Sequence, residues 1–123
     1  MMRSRYSAFA LGLGKYLLDT LASTHEDRSL PPAALELELT RAKNEQRYMD
    51  LCVMESSENA AGGEVLFYAK IFAKGVERSF AELSTFVREG GGFRYASAVL
   101  VPKTKIPGDP RALTRESFLA LPR

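Results

Sequence analysis

The chain is poor in the residues on which many structural and catalytic sites depend. Its 123 residues include one cysteine, one histidine and no tryptophan. A lone cysteine excludes an internal disulfide, and without a cluster of cysteines and histidines no zinc site is predicted. We therefore expect neither a metal nor a cofactor. Because Cys52 lies in an apolar run, we predict a buried thiol and a reducing, cytoplasmic compartment.

Long apolar runs are also lacking. Residues 7–14 form a short apolar stretch, but Lys15 interrupts it and Asp19 follows one helical turn later. No small-residue cleavage site follows an unbroken apolar run, which disfavours an export signal. No segment approaches the roughly 20 apolar residues that span a bilayer, so we expect no membrane partner.

The excess of positive charge is small and unevenly placed. The net charge is +2, and residues 1–100 carry twelve basic and thirteen acidic side chains. The last 23 residues carry five basic and two acidic side chains. A nearly neutral body offers no basic face of the kind that binds nucleic acid, so we expect no nucleic-acid partner.

The first 47 residues show the apolar spacing of helices. Tyr6, Phe9 and Leu13 fall on one stripe of a helix over residues 2–13, and a second helix follows after a glycine. A third begins near Pro31, because proline is tolerated in a first turn. Its leucines also alternate as in a strand, but the surrounding Ala, Glu and Lys favour a helix.

After Arg47 the apolar period changes to two, which is typical of strands. Glycines between the runs suit tight reversals, so consecutive strands should pair antiparallel. The fold class is therefore α+β, with N-terminal helices packed on one face of an antiparallel sheet; the family resemblance described below implies that this sheet is strongly curved. The predicted strands are residues 48–55, 64–73, 76–88 and 93–101.

We divide the chain into an α+β domain, residues 1–101, and a basic, proline-containing tail, residues 102–123. Within the tail, Asp109 and Pro110 suit the start of a short final helix. Its composition otherwise resembles a linker, and its role is left open.

A fairly specific motif lies at residues 2–9, which read MRSRYSAF. With further matching positions over roughly residues 2–98, it resembles the middle domain of the YchJ family, whose function is unknown. The resemblance implies a fold like nuclear transport factor 2, in which helices and a bent sheet form a cone with a pocket. The further matching positions are Tyr16-Leu17, Thr20, residues 63–73, Glu82-x-Ser84-x-Phe86 and Phe93-x-Tyr95.

The chain also departs from that family. Typical members carry cysteine-rich zinc-binding segments, called SEC-C motifs, before and often after this domain. Here the tail has no cysteine, and Ala22-Ser23 stand where a His-Pro pair is usual. A metal- or histidine-based role is therefore not implied, and a piece of a longer zinc-binding protein stays an open alternative. His25 lies among charged residues and is expected in solvent.

Glu82 and Ser84 alternate along one predicted strand, so their side chains share a face. If that face meets the helices, Glu82 is buried and needs a partner, and Arg3 or Arg5 could supply it. The favoured interpretation is an ion pair that fixes how the first helix docks. The alternative is an acid or anion site in a pocket, with Tyr6 nearby.

The opposite face of the same sheet also carries apolar side chains. Leu66, Tyr68 and Phe72 lie there if Phe67 and its alternating neighbours face inward. A sheet that is apolar on both sides needs a second layer or a partner. These three residues therefore predict the interface of a homodimer.

Two classes of function remain open. The favoured one is a non-catalytic interaction or small-ligand-binding module that dimerises through its sheet. The alternative is a small pocket enzyme, of isomerase or hydrolase type, with Glu82 as its acid or base. An enzyme needs at least two convergent polar groups with matched roles, and the sequence identifies one such group, Glu82.

Overall fold

The computed structural model describes residues 2–23, 25–90 and 92–121. Helices occupy the first part of the chain, as predicted. They are α1 (Met2–Leu11), α2 (Gly14–Asp19), a short 3₁₀ helix (Glu26–Ser29) and α3 (Pro32–Glu45). The first helix ends two residues earlier than the pattern predicts, because Gly12 turns the chain with a φ of 71°.

The strands form one antiparallel sheet, which confirms the predicted α+β class. They are β1 (Arg47–Glu58), β2 (Gly62–Ala73), β3 (Val76–Glu77), β4 (Phe80–Glu89) and β5 (Gly92–Pro102). Their order is β1-β2-β4-β5, and the two-residue β3 pairs with β2. The predicted run 76–88 divides because Ser79 leaves the ladder, and its Oγ accepts a hydrogen bond from the Ile71 amide at 3.1 Å.

The helices cover one face of this sheet, which we call the helix face. Phe67, Ala69 and Ile71 of β2 are buried there and pack against Tyr6 of α1. The helices also pack closely on each other, since a Cβ at Gly14 would clash with the side chain of Thr40 in α3. This arrangement holds α1 and α2 above the sheet and leaves space between the two layers.

The tail covers the other face, which we call the tail face. Ile106 and Phe118 of the tail pack against Leu66 and Leu83, and Phe118 is 0% exposed. At the margin, Arg115 Nε donates to Glu64 Oε1 at 2.9 Å. The tail is therefore a packed layer of the domain in its described part, residues 103–121.

This layer corrects the predicted dimer interface. Leu66 and Tyr68 are only 1% and 2% exposed, and the guanidinium of Arg111 lies 5.0 Å from the Tyr68 ring centre. Phe72 lies further along β2 and is half-buried. The premise that these side chains face water is wrong for Leu66 and Tyr68, because the chain's own tail covers them. A homodimer stays a prediction, but one whose interface does not include Leu66 and Tyr68.

The tail helix forms, but its cap differs from the prediction. The Asp109 side chain accepts from the Arg111 amide and caps a 3₁₀ turn at Pro110–Ala112. The helix α4 (Arg115–Leu119) follows, and Thr114 and Ser117 cap it reciprocally. Among the described residues, no helix is long and apolar enough to cross a membrane.

Candidate functional site

A cavity of about 730 Å³ lies between the helices and the helix face of the sheet. Its volume falls in the range of sites that hold small organic molecules. Apolar side chains form most of the wall: Phe9, Leu21, Leu39, Phe67, Ile71 and Phe80. The polar side chains Arg5, Tyr6, His25, Tyr48, Glu82 and Tyr95 also line it.

Glu82 lies on the helix face of β4 and is 8% exposed. The Ser84 hydroxyl, two residues along the same strand, donates a hydrogen bond to Glu82 Oε2. The hydroxyl of Tyr95 donates to the same oxygen at 3.0 Å. The alternation of β4 thus places Glu82 and Ser84 on one face, as the sequence predicts, and β5 contributes the third member.

A β-bulge decides the direction of Tyr95. Between Thr85 and Phe86 the register of β4 with β5 shifts, and Tyr95 becomes the partner of Phe86. In the unshifted register Tyr95 would stand opposite Val87 and point to the tail face. The extra residue in β5 therefore turns the Tyr95 ring towards Glu82.

Burial sets the protonation of this group. Loss of solvent raises the pKa of the Glu82 carboxyl, and the hydrogen bonds from Ser84 and Tyr95 and the charge of Arg5 oppose that rise without cancelling it. Burial and the neighbouring carboxylate both raise the pKa of Tyr95. Glu82 is therefore easier to protonate than an exposed glutamate, while Tyr95 stays a neutral donor.

Arg5 of α1 lies above Tyr95 and is 3% exposed. Its Nη1 donates to the carbonyl oxygen of Leu17 at 3.0 Å and to the hydroxyl of Thr20. Its Nε has no hydrogen-bond partner in the described part of the chain. The guanidinium carbon lies 4.7 Å from the centre of the Tyr95 ring. Burial lowers the pKa of Arg5, against the opposing effect of nearby acidic groups.

The predicted ion pair of Glu82 with Arg3 or Arg5 is wrong. Among the described residues, no arginine nitrogen lies within 4.0 Å of the Glu82 carboxylate. Arg3 is exposed, and it is Arg5 that lines the cavity with Glu82. Arg5 acts on Glu82 through space, because its direct bonds go to α2 and its C-terminal end.

The chain after α2 is fixed to β5 at the same point. The Tyr95 amide donates to the Thr20 carbonyl at 2.7 Å, and the Ala22 amide donates to the Tyr95 carbonyl at 2.8 Å. This isolated parallel bridge joins a helix terminus to the sheet beside the cavity. The bridge fixes the position of Thr20 relative to the sheet. Thr20 in turn helps to hold the Arg5 guanidinium over the Tyr95 ring through its hydroxyl.

His25 belongs to the site, and the sequence interpretation missed it. Its side chain is 10% exposed, lines the cavity and lies 5.5 Å from the Tyr95 ring, measured between ring centres. Nδ1 accepts a hydrogen bond from the Asp27 amide at 3.0 Å, so the neutral ring carries its proton on Nε2. The expectation that His25 lies in solvent is therefore wrong. Only the bridge to β5 brings it here.

Two tyrosines complete the polar wall. Tyr6 donates to the Asp50 carbonyl at 2.9 Å and meets the Tyr48 ring edge-on, with 5.5 Å between ring centres. Burial raises the pKa of Tyr48 to about 12 and also raises that of Tyr6. Both hydroxyls are neutral near pH 7. In the described part of the chain, no group of three or more His, Cys, Asp and Glu side chains could hold a metal ion.

Helices followed by an antiparallel sheet, with a cavity between the layers, are the arrangement that the resemblance to nuclear transport factor 2 implies. A family model described as "YchJ, middle NTF2-like domain" matches residues 1–98. The chain therefore belongs to the YchJ family, as its N-terminal motif indicates. The match covers α1, α2 and α3 and most of the sheet, and it ends before the tail.

Related proteins agree with this assignment. A UPF0225 protein of Chromobacterium violaceum is 38% identical over 101 residues, which are 81% of this chain and 71% of the relative. A UPF0225 protein of Vibrio vulnificus is 31% identical over 124 residues, covering 100% of this chain and 71% of the relative. The second alignment includes the tail.

A solved structure shows the same fold. It is the solution structure of a SEC-C motif containing protein from Rhodopseudomonas palustris. The TM-score is 0.65 at 29% sequence identity, and the match covers 81% of this chain and 75% of that protein. This fold therefore occurs in a protein that also contains a SEC-C motif.

Proposed function

We propose that this domain is a non-catalytic module that binds a small organic molecule in the cavity between its helices and its sheet. The observation that carries the proposal is a space of about 730 Å³ in which apolar walls meet the polar group of Arg5, Glu82 and Tyr95. Apolar walls with a few convergent polar groups are typical of ligand sites.

The hydrogen bonding favours recognition over catalysis. Ser84 is 0% exposed and its hydroxyl is used by Glu82, so it is not placed to attack a substrate. Tyr95 donates to the same carboxylate oxygen. The polar groups of the site thus hold one another in place, which suits a pre-organised binding surface.

An NMR fragment screen on the ¹⁵N-labelled protein tests the proposal. We expect some fragments to shift the amides of residues around the cavity, such as Phe67 and Tyr95. Ala98→Trp places a large ring at an exposed position on the cavity wall and should abolish these shifts. Ala112→Trp, at an exposed position of the tail, is the matched control and should preserve them. Shifts that survive Ala98→Trp would contradict binding in this cavity.

One observation favours the enzyme as a second candidate. A buried carboxyl with a raised pKa, in a cavity that also contains His25, is a common arrangement of a general acid. Fragments that bind would then be substrate leads. Incubation of each with the protein, followed by mass spectrometry, would show a product that Glu82→Gln fails to form.

A cytoplasmic location and a homodimer stay predictions of this proposal. Since the tail occupies the face that carries Leu66 and Tyr68, a dimer would have to use another surface. Sedimentation velocity at several concentrations measures the oligomeric state directly. A single monomeric species throughout would remove the homodimer from the proposal.

A further inference from the structure

Arg5 holds hydrogen-bonding capacity that the protein itself does not use. Both hydrogen bonds that it makes to described residues start from Nη1. The other edge of the guanidinium, formed by Nε and Nη2, has no acceptor among the described residues, and Nε is fully buried. The side chain also lines the cavity, and a small movement of the guanidinium would present this edge to the two oxygens of a carboxylate, which it can bind in parallel.

Glu82 does not fill that role. Its Oε2 accepts from Ser84 and Tyr95, and no ion pair with Arg5 forms within the described structure. The cavity therefore contains a buried cation and a buried carboxylate that share an environment without pairing. A second anion placed on Arg5 would be repelled by an ionised Glu82, and the repulsion ends if Glu82 takes a proton from solvent.

On this basis, and resting on the proposed function, we propose that the ligand is a monocarboxylic acid with an aromatic or alkyl body, bound as its anion on Arg5 while Glu82 becomes protonated. The charge balance selects a monoanion, because one proton on Glu82 compensates one added negative charge. The walls select the body, because rings of Phe9, Phe67 and Phe80 line the cavity.

Other ionisable groups also line the cavity, and each is a possible source of a pH dependence of ligand binding. The tyrosines have raised pKa values and stay neutral near pH 7. Asp27 and His25 also line the cavity, and histidine is a second residue type that can take up a proton. The groups that line the cavity with Glu82 are Arg5 and Tyr6 of α1, His25 and Asp27 at the 3₁₀ helix, Tyr48 of β1 and Tyr95 of β5.

The sign of the pH dependence follows. A protonated Glu82 accepts the ligand anion nearby, whereas an ionised Glu82 repels it, so affinity falls as pH rises through the pKa of Glu82. A protonated His25 would act in the same direction. Variants of the two residues therefore have to separate them.

Calorimetry with phenylacetate, 4-phenylbutyrate and octanoate, each beside its neutral primary amide, tests the proposal. We expect at least one acid to bind about tenfold more weakly at about pH 8 than at about pH 5.5. Its heat should depend on the buffer in the way that proton uptake requires. The matching amide should bind more weakly at about pH 5.5 and show no pH dependence.

Variants assign the proton. Glu82→Gln mimics the protonated carboxyl, so it should bind the acid at about pH 8 about as tightly as the wild type does at about pH 5.5. His25→Asn keeps a side-chain acceptor for the Asp27 amide and should retain the pH dependence. If His25→Asn removes the dependence and Glu82→Gln preserves it, the proposal is overturned. Should Glu82→Gln fail to fold, His25→Asn still decides, because a buffer-dependent heat that persists in this variant assigns the proton to Glu82, and its loss overturns the proposal.

The outcomes also separate this inference from the proposed function. If neutral or basic fragments shift cavity amides and none of the three acids binds, the carboxylate proposal fails and the binding module stands. If an acid binds but Ala98→Trp leaves its affinity unchanged, the ligand lies elsewhere and both fail. Equal affinity for acid and amide would refute the role of Arg5.

Discussion

The two faces of the sheet are covered in different ways. On the tail face, Leu66, Leu83, Val101 and Phe118 form a nearly dry apolar cluster. On the helix face, a cavity remains and buried polar groups line it. The tail has no long helix and can fill small gaps, whereas the three N-terminal helices bridge over the sheet and leave space. The tail face therefore contributes to stability, and the helix face contains the cavity in which we propose that a ligand binds.

Removing the Phe118 side chain should have the largest effect on stability, because it leaves a void in the apolar cluster of the tail face. The ring is 0% exposed, so Phe118→Ala should lower the free energy of unfolding by about 3–5 kcal/mol. Urea unfolding measures the loss. Leu119→Ala, at a more exposed neighbour in α4, is the control and should cost far less. Equal losses would mean that the tail does not seal the sheet.

Tyr95→Phe tests the polar groups on the helix face by removing one hydroxyl. The variant keeps the ring under Arg5 but removes the 3.0 Å donor to Glu82, so we expect a loss of about 1 kcal/mol in urea unfolding. Tyr16→Phe removes an exposed hydroxyl that bonds to Ser4 and should change stability less. A larger loss for Tyr16→Phe would contradict the assigned hydrogen bond.

Glu82→Gln removes the buried charge. Its effect on the free energy of unfolding should change with pH in the direction opposite to that of Glu77→Gln, the control described next. Because the folded pKa of Glu82 is raised, the wild type keeps this contribution to stability below the ordinary glutamate pKa and loses it as pH rises through the folded pKa. At neutral pH the variant should therefore equal or exceed the wild type, by up to about 1 kcal/mol.

Glu77→Gln is the matched control for that sign. Hydrogen bonds from Ser79 and Lys103 lower the pKa of Glu77, so its contribution is present above the ordinary glutamate pKa and is lost as pH falls. Unfolding of each variant and of the wild type at about pH 3, about pH 5 and about pH 8 compares the two signs, because the contribution of Glu77 is lost below the ordinary glutamate pKa and that of Glu82 above it. The same pH trend in both would refute the burial argument for Glu82.

Arg115→Gln should have the smallest effect. The guanidinium binds Glu64 at the exposed rim of the tail face, where water and salt screen the pair. We expect a change in the unfolding midpoint close to the precision of the measurement, and smaller still in high salt. A loss comparable to that of Phe118→Ala would show that charge, rather than apolar packing, holds the tail.

The cavity shows where interpretation of the sequence succeeded and where it stopped. Strand alternation placed Glu82 and Ser84 on one face, because successive side chains of a strand point to opposite sides. It could not place Tyr95, since one extra residue in β5 reverses the direction of everything before it. Nor could it place His25, whose position depends on a bridge between residues far apart in sequence.

The tail illustrates the same limit. Its prolines suggested a linker. Ile106 and Phe118 nevertheless lie in the core, because the sheet offers an apolar face that they can cover. The exposed surface predicted for Leu66 and Tyr68 was an error of context, since the residues that cover them lie much later in the chain.

The order of helices and strands, the antiparallel pairing and the shared face of Glu82 and Ser84 follow from local patterns in the sequence, and the motif at residues 2–9 indicates the YchJ family. The local patterns are side-chain period and short loops, which act over a few residues. Packing between distant segments, in contrast, determines that Arg5 stacks on Tyr95 without pairing with Glu82, that His25 reaches the cavity, and that the tail covers the opposite face. Those outcomes depend on which distant surfaces pack together, and a local pattern does not specify that choice.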